Sequence, residues 1–317
     1  MAYTKLKEHI IARRSPTSFE TLLRGFLLSS EAEGKSPATI TAYGDCVGRF
    51  VAISKELGIP QDVTHITRDH IRAYVIELRH QGLAVATVRD YLVGLRLWLT
   101  WLVGEGIIAS NPCDGVKLPR PDRKAMKTLT GEQVKKLLEV ARNQPLKKSL
   151  RDQLIILMFY DTGIRASELA GLNMEDVDLD EKMVFVRGKG RKERVLGLEG
   201  KTCIMAWRYV ATVRGEAPGP FIQGKTGRRM LRTSITQCLA KLAKRAGWPA
   251  KSCSPHMLRR SFSVDYLRAG GDPFTLQILL GHERLEMSRH YAEALNASDA
   301  VGAQRRFSPA RRLFAVN

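Results

Sequence analysis

Apolar residues recur every three or four positions through the first third of the chain, with polar residues between them. In "TSFETLLRGFLLSSEAEG" (17–34), "SPATITAYGDCVGRFVAISKELG" (36–58), "TRDHIRAYVIELRHQG" (67–82) and "AVATVRDYLVGLRLWLTWLVGEG" (84–106) this spacing gathers them on one face. That is the signature of an amphipathic helix. Each segment ends at a glycine, and Ser36–Pro37 has the form of an N-cap followed by a first-turn proline. Four such helices in roughly 100 residues predict a compact bundle.

The period then disappears. "NPCDGVKLPRPDRKAMKTLT" (111–130) is rich in proline and charge and reads as a tether, equally able to lie along a phosphate backbone. Helical spacing returns in "TGEQVKKLLEVAR" (130–142) and "LKKSLRDQLIILMFYDTG" (146–163). Short β-branched runs around glycines in "MEDVDLDEKMVFVRGKGRKERVLGL" (174–198) predict a small antiparallel sheet with a turn at Gly188–Arg191. Further helices follow in "RTSITQCLAKLAKRAG" (232–247), "HMLRRSFSVDYLRAG" (256–270), "PFTLQILLGH" (273–282) and "EMSRHYAEAL" (286–295). The expected organisation is a helical domain over 15–112, a linker over 113–128, a mainly helical domain with a small sheet over 129–296, and a tail over 297–317. The fold class is therefore mainly α (α+β).

Charge narrows the partner. The 317 residues carry a formal net charge of +19 with a pI near 10.0. That excess suits a polyanion, because each cation laid on a phosphate releases condensed counterions. Charge alone leaves DNA, RNA and an acidic membrane surface open. Five scattered cysteines without CxxC spacing argue against a disulfide framework and a zinc knuckle. The N-terminal stretch lacks the apolar core of a secretory signal, and "LIILMFY" (154–160) falls far short of the ~20 residues of a membrane span. A cytoplasmic protein without membrane association is expected.

One motif misleads. "GPFIQGKT" (219–226) spells a phosphate loop. Such a loop needs a buried strand before its first glycine and a helix directly after its lysine. Here "RGEAPG" precedes, "GRRMLRT" follows, and Phe221 and Ile222 are apolar, so no nucleotide is expected.

The remaining cationic motifs share one chemistry. "DTGIRASEL" sets Arg165 at a helix start with Glu168 three residues on, and "SPHMLRRSF" puts His256 and Arg259 on one helical face. "VRGKGRKERV" places Lys189 in the turn, with Lys192 as a rival, and "LLGHERLEMSRHY" supplies His282 and Tyr291. Two guanidiniums can clamp the non-bridging oxygens of a phosphodiester. A tyrosine hydroxyl can attack phosphorus if a base is near, and a lysine or histidine can protonate the leaving oxygen. No aspartate cluster suggests a metal, and neither metal nor other cofactor is expected.

This ordered set resembles the tyrosine recombinase (phage integrase) family over nearly the whole chain. The resemblance implies the tyrosine recombinase fold, with the first domain as a SAM-like core-binding bundle. Tyr291 would attack the scissile phosphate to give a 3′-phosphotyrosyl link, and Arg165 and Arg259 would hold that phosphate. His256 would act as acid and base, Lys189 would protonate the leaving oxygen, His282 would hydrogen-bond the phosphate, and Glu168 would orient Arg165. It further implies double-stranded DNA with an inverted-repeat core site, dimers and tetramers on that DNA, and a Holliday-junction intermediate. Arg260 stands where many relatives have histidine. The tail "AQRRFSPARRLFAVN" would dock on a neighbouring protomer through Phe307 and Leu313.

Within the bundle Lys35, Ser36, Thr39, Thr41, Arg89 and Arg96 could touch DNA or form a solvated face, whereas Trp98 and Trp101 are expected in the core. The leading reading is an integrase or transposon-type recombinase. An Xer-like dimer resolvase, a non-cleaving architectural protein and a relaxing topoisomerase stay open.

Overall fold

The computed structural model describes residues 18–117, 126–188 and 193–282, together with 291, 292, 295, 299 and 301. The chain divides into two compact units at Arg123–Lys124, and its described residues are mainly helical.

The first unit is built from α1 (Phe19–Ala32), α2 (Pro37–Glu56), α3 (Arg68–His80) and α4 (Val85–Gly104). The four segments read from hydrophobic spacing are all helices. The glycines that follow them, Gly34, Gly58, Gly82 and Gly106, all have positive φ, a conformation in which other residues carry a Cβ clash. Ser36 caps α2, its hydroxyl accepting from the Thr39 amide at 3.2 Å. Trp98 is fully buried and meets Phe19 edge-on at 5.8 Å, while Trp101 packs on Phe26. Both tryptophans thus serve the core, as expected.

The expected tether is shorter on its bundle side than the proline and charge content suggested. Cys113 and Val116 are core residues of the first unit; Asn111 Nδ2 donates to Thr100 Oγ1 at 2.9 Å, and Arg96 Nη2 donates to the Cys113 carbonyl at 3.0 Å.

The second unit surrounds α6 (Leu146–Thr162), preceded by α5 (Gly131–Arg142) and followed by the short α7 (Ala166–Gly171). Helix α6 is buried on nearly all sides, with Leu154, Ile155, Ile156, Met158 and Phe159 in the core. The sheet has the order β1 (Val177–Asp178), β2 (Met183–Arg187), β3 (Glu193–Gly197), antiparallel throughout, with Arg187 opposite Glu193. Most of the expected β2–β3 turn lies outside the described residues. Helices α8 (Gly200–Tyr209), α9 (Arg232–Arg245), α10 (Pro255–Arg268) and α11 (Pro273–Leu280) complete the unit. Helix α8 was not among the segments read from spacing, although Thr202, Cys203, Ala206 and Tyr209 recur at helical intervals on its buried face while Ile204 and Trp207 face out.

Phe221 and Ile222 of the phosphate-loop look-alike are core residues, and Lys225–Thr226 sit in an exposed turn well before α9 begins. Among the described residues no helix is long and apolar enough to cross a membrane. The tail anchors Phe307 and Leu313 lie outside the described residues.

Candidate active site

Arg165 is the last residue before α7, extended at φ −76° and ψ 151°, so its side chain leaves the helix end rather than the helix flank. Glu168, on the first turn, reaches back to it. Its Oε2 accepts from the Arg165 amide at 2.8 Å and its Oε1 from Arg165 Nη1 at 2.9 Å. The other face of the same carboxylate is occupied by Arg194 of β3, with Nη1 on Oε1 at 2.9 Å and Nη2 on Oε2 at 2.8 Å. Burial alone would raise the Glu168 pKa. The hydrogen bonds from Arg194 and from the Arg165 backbone, with the Arg194 charge, win and hold it at about 2.

Arg194 was not singled out from the sequence. Its signal was present in the strand alternation: Arg194 shares the inward face of β3 with buried Leu196, while Glu193, Val195 and Gly197 face out. An arginine at an inward strand position requires a partner, and Glu168 is that partner.

Arg259, on the second turn of α10, is 4% exposed. Nη1 donates to the Gly163 carbonyl at 2.5 Å, and Nη2 to the Leu280 carbonyl at 2.8 Å and to His282 Nε2 at 3.1 Å. A guanidinium has no lone pair to offer, so His282 Nε2 is the acceptor and the ring is neutral with its proton on Nδ1. Burial first, then the charges of Arg259, Arg165 and Arg194, pull the His282 pKa down to about 4. Arg259 is itself lowered to about 10, by burial first and then by Arg165, and remains charged at neutral pH.

Two glycines aim these acceptors. Gly163 ends α6 at φ 62° and Gly281 ends α11 at φ 61°, both left-handed. The Gly163 carbonyl receives Arg259, and the Gly281 carbonyl receives Arg165 Nη2 at 2.8 Å. A Cβ on Gly163 would lie 2.4 Å from Phe262 Cδ1, and one on Gly281 would lie 3.0 Å from Arg194 Nη1. The glycines of "TGIR" and "LLGH" are thus part of the arginine scaffold.

Tyr291 is 5% exposed and packs with Leu267, Leu276 and Leu280. Its ring lies nearly parallel to that of His282, with centroids 6.0 Å apart. His256, on the first turn of α10, is exposed at the rim; burial, then Arg260 and Arg259, lower its pKa below the ordinary value. These groups share an open cleft of about 1040 Å³ whose opposite wall is the start of α9, with Arg232, Thr233, Thr236 and Gln237. Nothing in the type or spacing of those four residues marks them out from others at the start of a helix.

The structure therefore brings Arg165, His256, Arg259, His282 and Tyr291 to one cleft, with Glu168 bridging Arg165 and Arg194. Lys189 and its rival Lys192 lie outside the described residues. Three arginines against one carboxylate, with His282 neutral, leave the site strongly positive. Arg259 is held by carbonyls and an imidazole, all neutral, so its charge is oriented without being neutralised. Such a site suits a phosphodiester and could stabilise the charge that builds during displacement at phosphorus.

Comparison with known proteins gives the family. Residues 127–297 match the phage integrase family, and residues 25–106 match the phage integrase N-terminal SAM-like domain. Tyrosine recombinase XerC of Xylella fastidiosa (strain M23) is 32% identical over 259 residues, spanning 81% of this chain and 86% of that protein. XerC of Yersinia pestis is 31% identical over 258 residues, covering 81% and 84%. Among solved structures, the Tn1549 transposon integrase bound to a circular intermediate DNA superposes with a TM-score of 0.74 at 17% identity, over 92% of this chain and all of that one. The last shares the fold. The family matches and the XerC relatives establish more: the chain belongs to the phage integrase family and is a tyrosine recombinase, an enzyme that breaks and rejoins DNA strands.

Proposed function

We propose that Tyr291 is the nucleophile of a site-specific recombination reaction on double-stranded DNA with an inverted-repeat core site. The tyrosine Oη attacks the scissile phosphorus, a 3′-phosphotyrosyl bond forms, and the bond to the 5′ oxygen breaks. His256 takes the phenol proton, and Lys189 gives a proton to the departing oxygen. Arg165 and Arg259 donate to the non-bridging oxygens. His282 hydrogen-bonds the same phosphate and keeps Arg259 aligned, while Glu168 fixes Arg165. One phosphoester replaces another, so resealing to a new strand requires neither ATP nor a metal ion. Four protomers act on two duplexes and exchange strands through a Holliday junction.

The observation that carries this reading is the convergence of Tyr291, His256, Arg165 and Arg259 on one cleft beside a neutral His282. The test is covalent trapping. Wild type and Tyr291→Phe are mixed, without metal or ATP, with nicked duplexes tiled from DNA flanking the gene. An SDS-resistant adduct is expected with wild type only, while DNA affinity is retained in the variant. Adduct formation by Tyr291→Phe would refute the assignment.

An integrase or transposon-type reaction and a dimer-resolving one share this chemistry. The 32% identity to XerC favours the second. Plasmids carrying two directly repeated sites separate them: a resolvase excises the intervening DNA, and an integrase joins sites on separate molecules.

A further inference from the structure

A second hollow, of about 430 Å³, borders α9 on a face next to that of the catalytic cleft. Three elements supply cations to it: Lys148 and Arg151 from α6, Lys225 and Arg228 from the turn after Ile222, and Lys241 and Arg245 from α9. The carboxylate lining it, Asp152, is fully buried and already engaged, accepting from Arg151 Nε at 2.9 Å and from Gln144 Nε2 at 3.0 Å. Among the described residues Lys148, Lys225, Arg228 and Lys241 pair with no carboxylate. An adjoining hollow of about 370 Å³ shares Lys148, Arg151 and Lys225, extending the trough. The turn is closed by the Gly224 amide donating to the Arg228 carbonyl at 2.8 Å. This is the segment that spells a phosphate loop yet lacks the strand and helix of one.

Such a concentration of unpaired cations on a folded surface stores repulsion that an anion relieves. Gln237 lines both the catalytic cleft and this hollow, so the two adjoin along α9. From Arg232 to Lys241 the helix rises about 14 Å, at 1.5 Å per residue. A DNA strand advances about 3.4 Å per phosphate along its axis, so one that ran along α9 would span this distance in roughly four phosphates. We propose that this trough is a second phosphodiester-binding site, gripping duplex DNA outside the strand segment that is cut, and setting affinity rather than the rate of cleavage. The proposal rests on the recombinase reading for the identity of the polyanion.

The test uses the full chain with Lys225→Gln, Arg228→Gln and Lys241→Gln combined, and a control combining Lys136→Gln, Lys201→Gln and Arg208→Gln, which removes the same charge elsewhere on the second unit. Affinity for a random-sequence 40-base-pair duplex is followed by fluorescence anisotropy as a function of salt. With each lost phosphate contact lowering the log–log salt slope by about 0.9, the hollow variant is expected to lose two to three from the slope and at least tenfold in affinity at 0.1 M salt. Its adduct formation at saturating protein should match wild type, and thermal unfolding confirms that it folds; Lys225→Gln alone, with a slope loss near one, serves if it does not. An unchanged slope, or equal losses in the control, would overturn the proposal. So would unchanged DNA binding with lost binding of a poly-glutamate peptide, which would point to an acidic protein partner. Failure of wild type to form any adduct counts against the recombinase reading and leaves the salt measurement standing.

Discussion

Glu168 offers the sharpest quantitative check on how the site is held. Its carboxyl titrates at about 2 in the folded chain against an ordinary 4.5, because Arg194 and the Arg165 backbone hydrogen-bond its ionised form. Each tenfold change in proton affinity corresponds to about 1.4 kcal/mol, so the ionised carboxylate contributes about 3 kcal/mol at neutral pH. The sign follows from the depressed value. That stability is present above 4.5 and is lost as pH falls from there through 2. Glu168→Gln keeps the shape and removes the charge, and its NH2 group would confront the donors of Arg194 or Arg165. At 6% exposed, the Glu168 side chain has little water to compensate.

The measurement is urea unfolding of the full chain, wild type and Glu168→Gln, at several pH values from 7 to 2.5. At pH 7 the variant should be about 3 kcal/mol less stable, a midpoint shift on the order of 1–2 M for ordinary urea dependence. The gap should narrow as pH falls below 4.5, because the unfolded wild-type chain then takes up a proton at this carboxyl while the folded chain holds it ionised until about 2. The other carboxylates titrate in both proteins and cancel in the difference. A gap that stays constant with pH, or no gap at pH 7, would refute the account of the Arg165–Glu168–Arg194 bridge.

Gly281→Ala forces a side chain into the left-handed region, at a cost on the order of 1–3 kcal/mol, and presses on Arg194. Adduct formation should fall at least tenfold with random-duplex affinity within twofold of wild type; an unimpaired rate would contradict the carbonyl-scaffold argument. The pH profile of adduct formation should stay flat down past 6.5 and fall only at more acid pH, because burial, Arg260 and Arg259 hold His256 below its ordinary value and a base must be neutral. A wild-type midpoint at or above 6.5, or an acid limb unchanged in His256→Gln, would contradict the role of that histidine.

Much of this was legible in the letters. The bundle was readable because its helices carry uninterrupted apolar stripes and glycine stops, and the reacting groups because each bears a distinctive side chain. Helix α8 was harder to read, since its buried stripe of Thr202, Cys203, Ala206 and Tyr209 is made of small or partly polar residues, with the larger Ile204 and Trp207 left exposed. The supports of the arginines were harder still. Arg259 rests on the carbonyls of Gly163 and Leu280, and a carbonyl belongs to every residue alike. A carboxylate in their place would have been visible in sequence, but it would have cancelled the charge that the phosphate requires. Neutral acceptors satisfy the buried guanidinium and leave its charge for the substrate. The glycines of "TGIR" and "LLGH", which let the backbone turn those carbonyls inward, are therefore the sequence trace of the clamp.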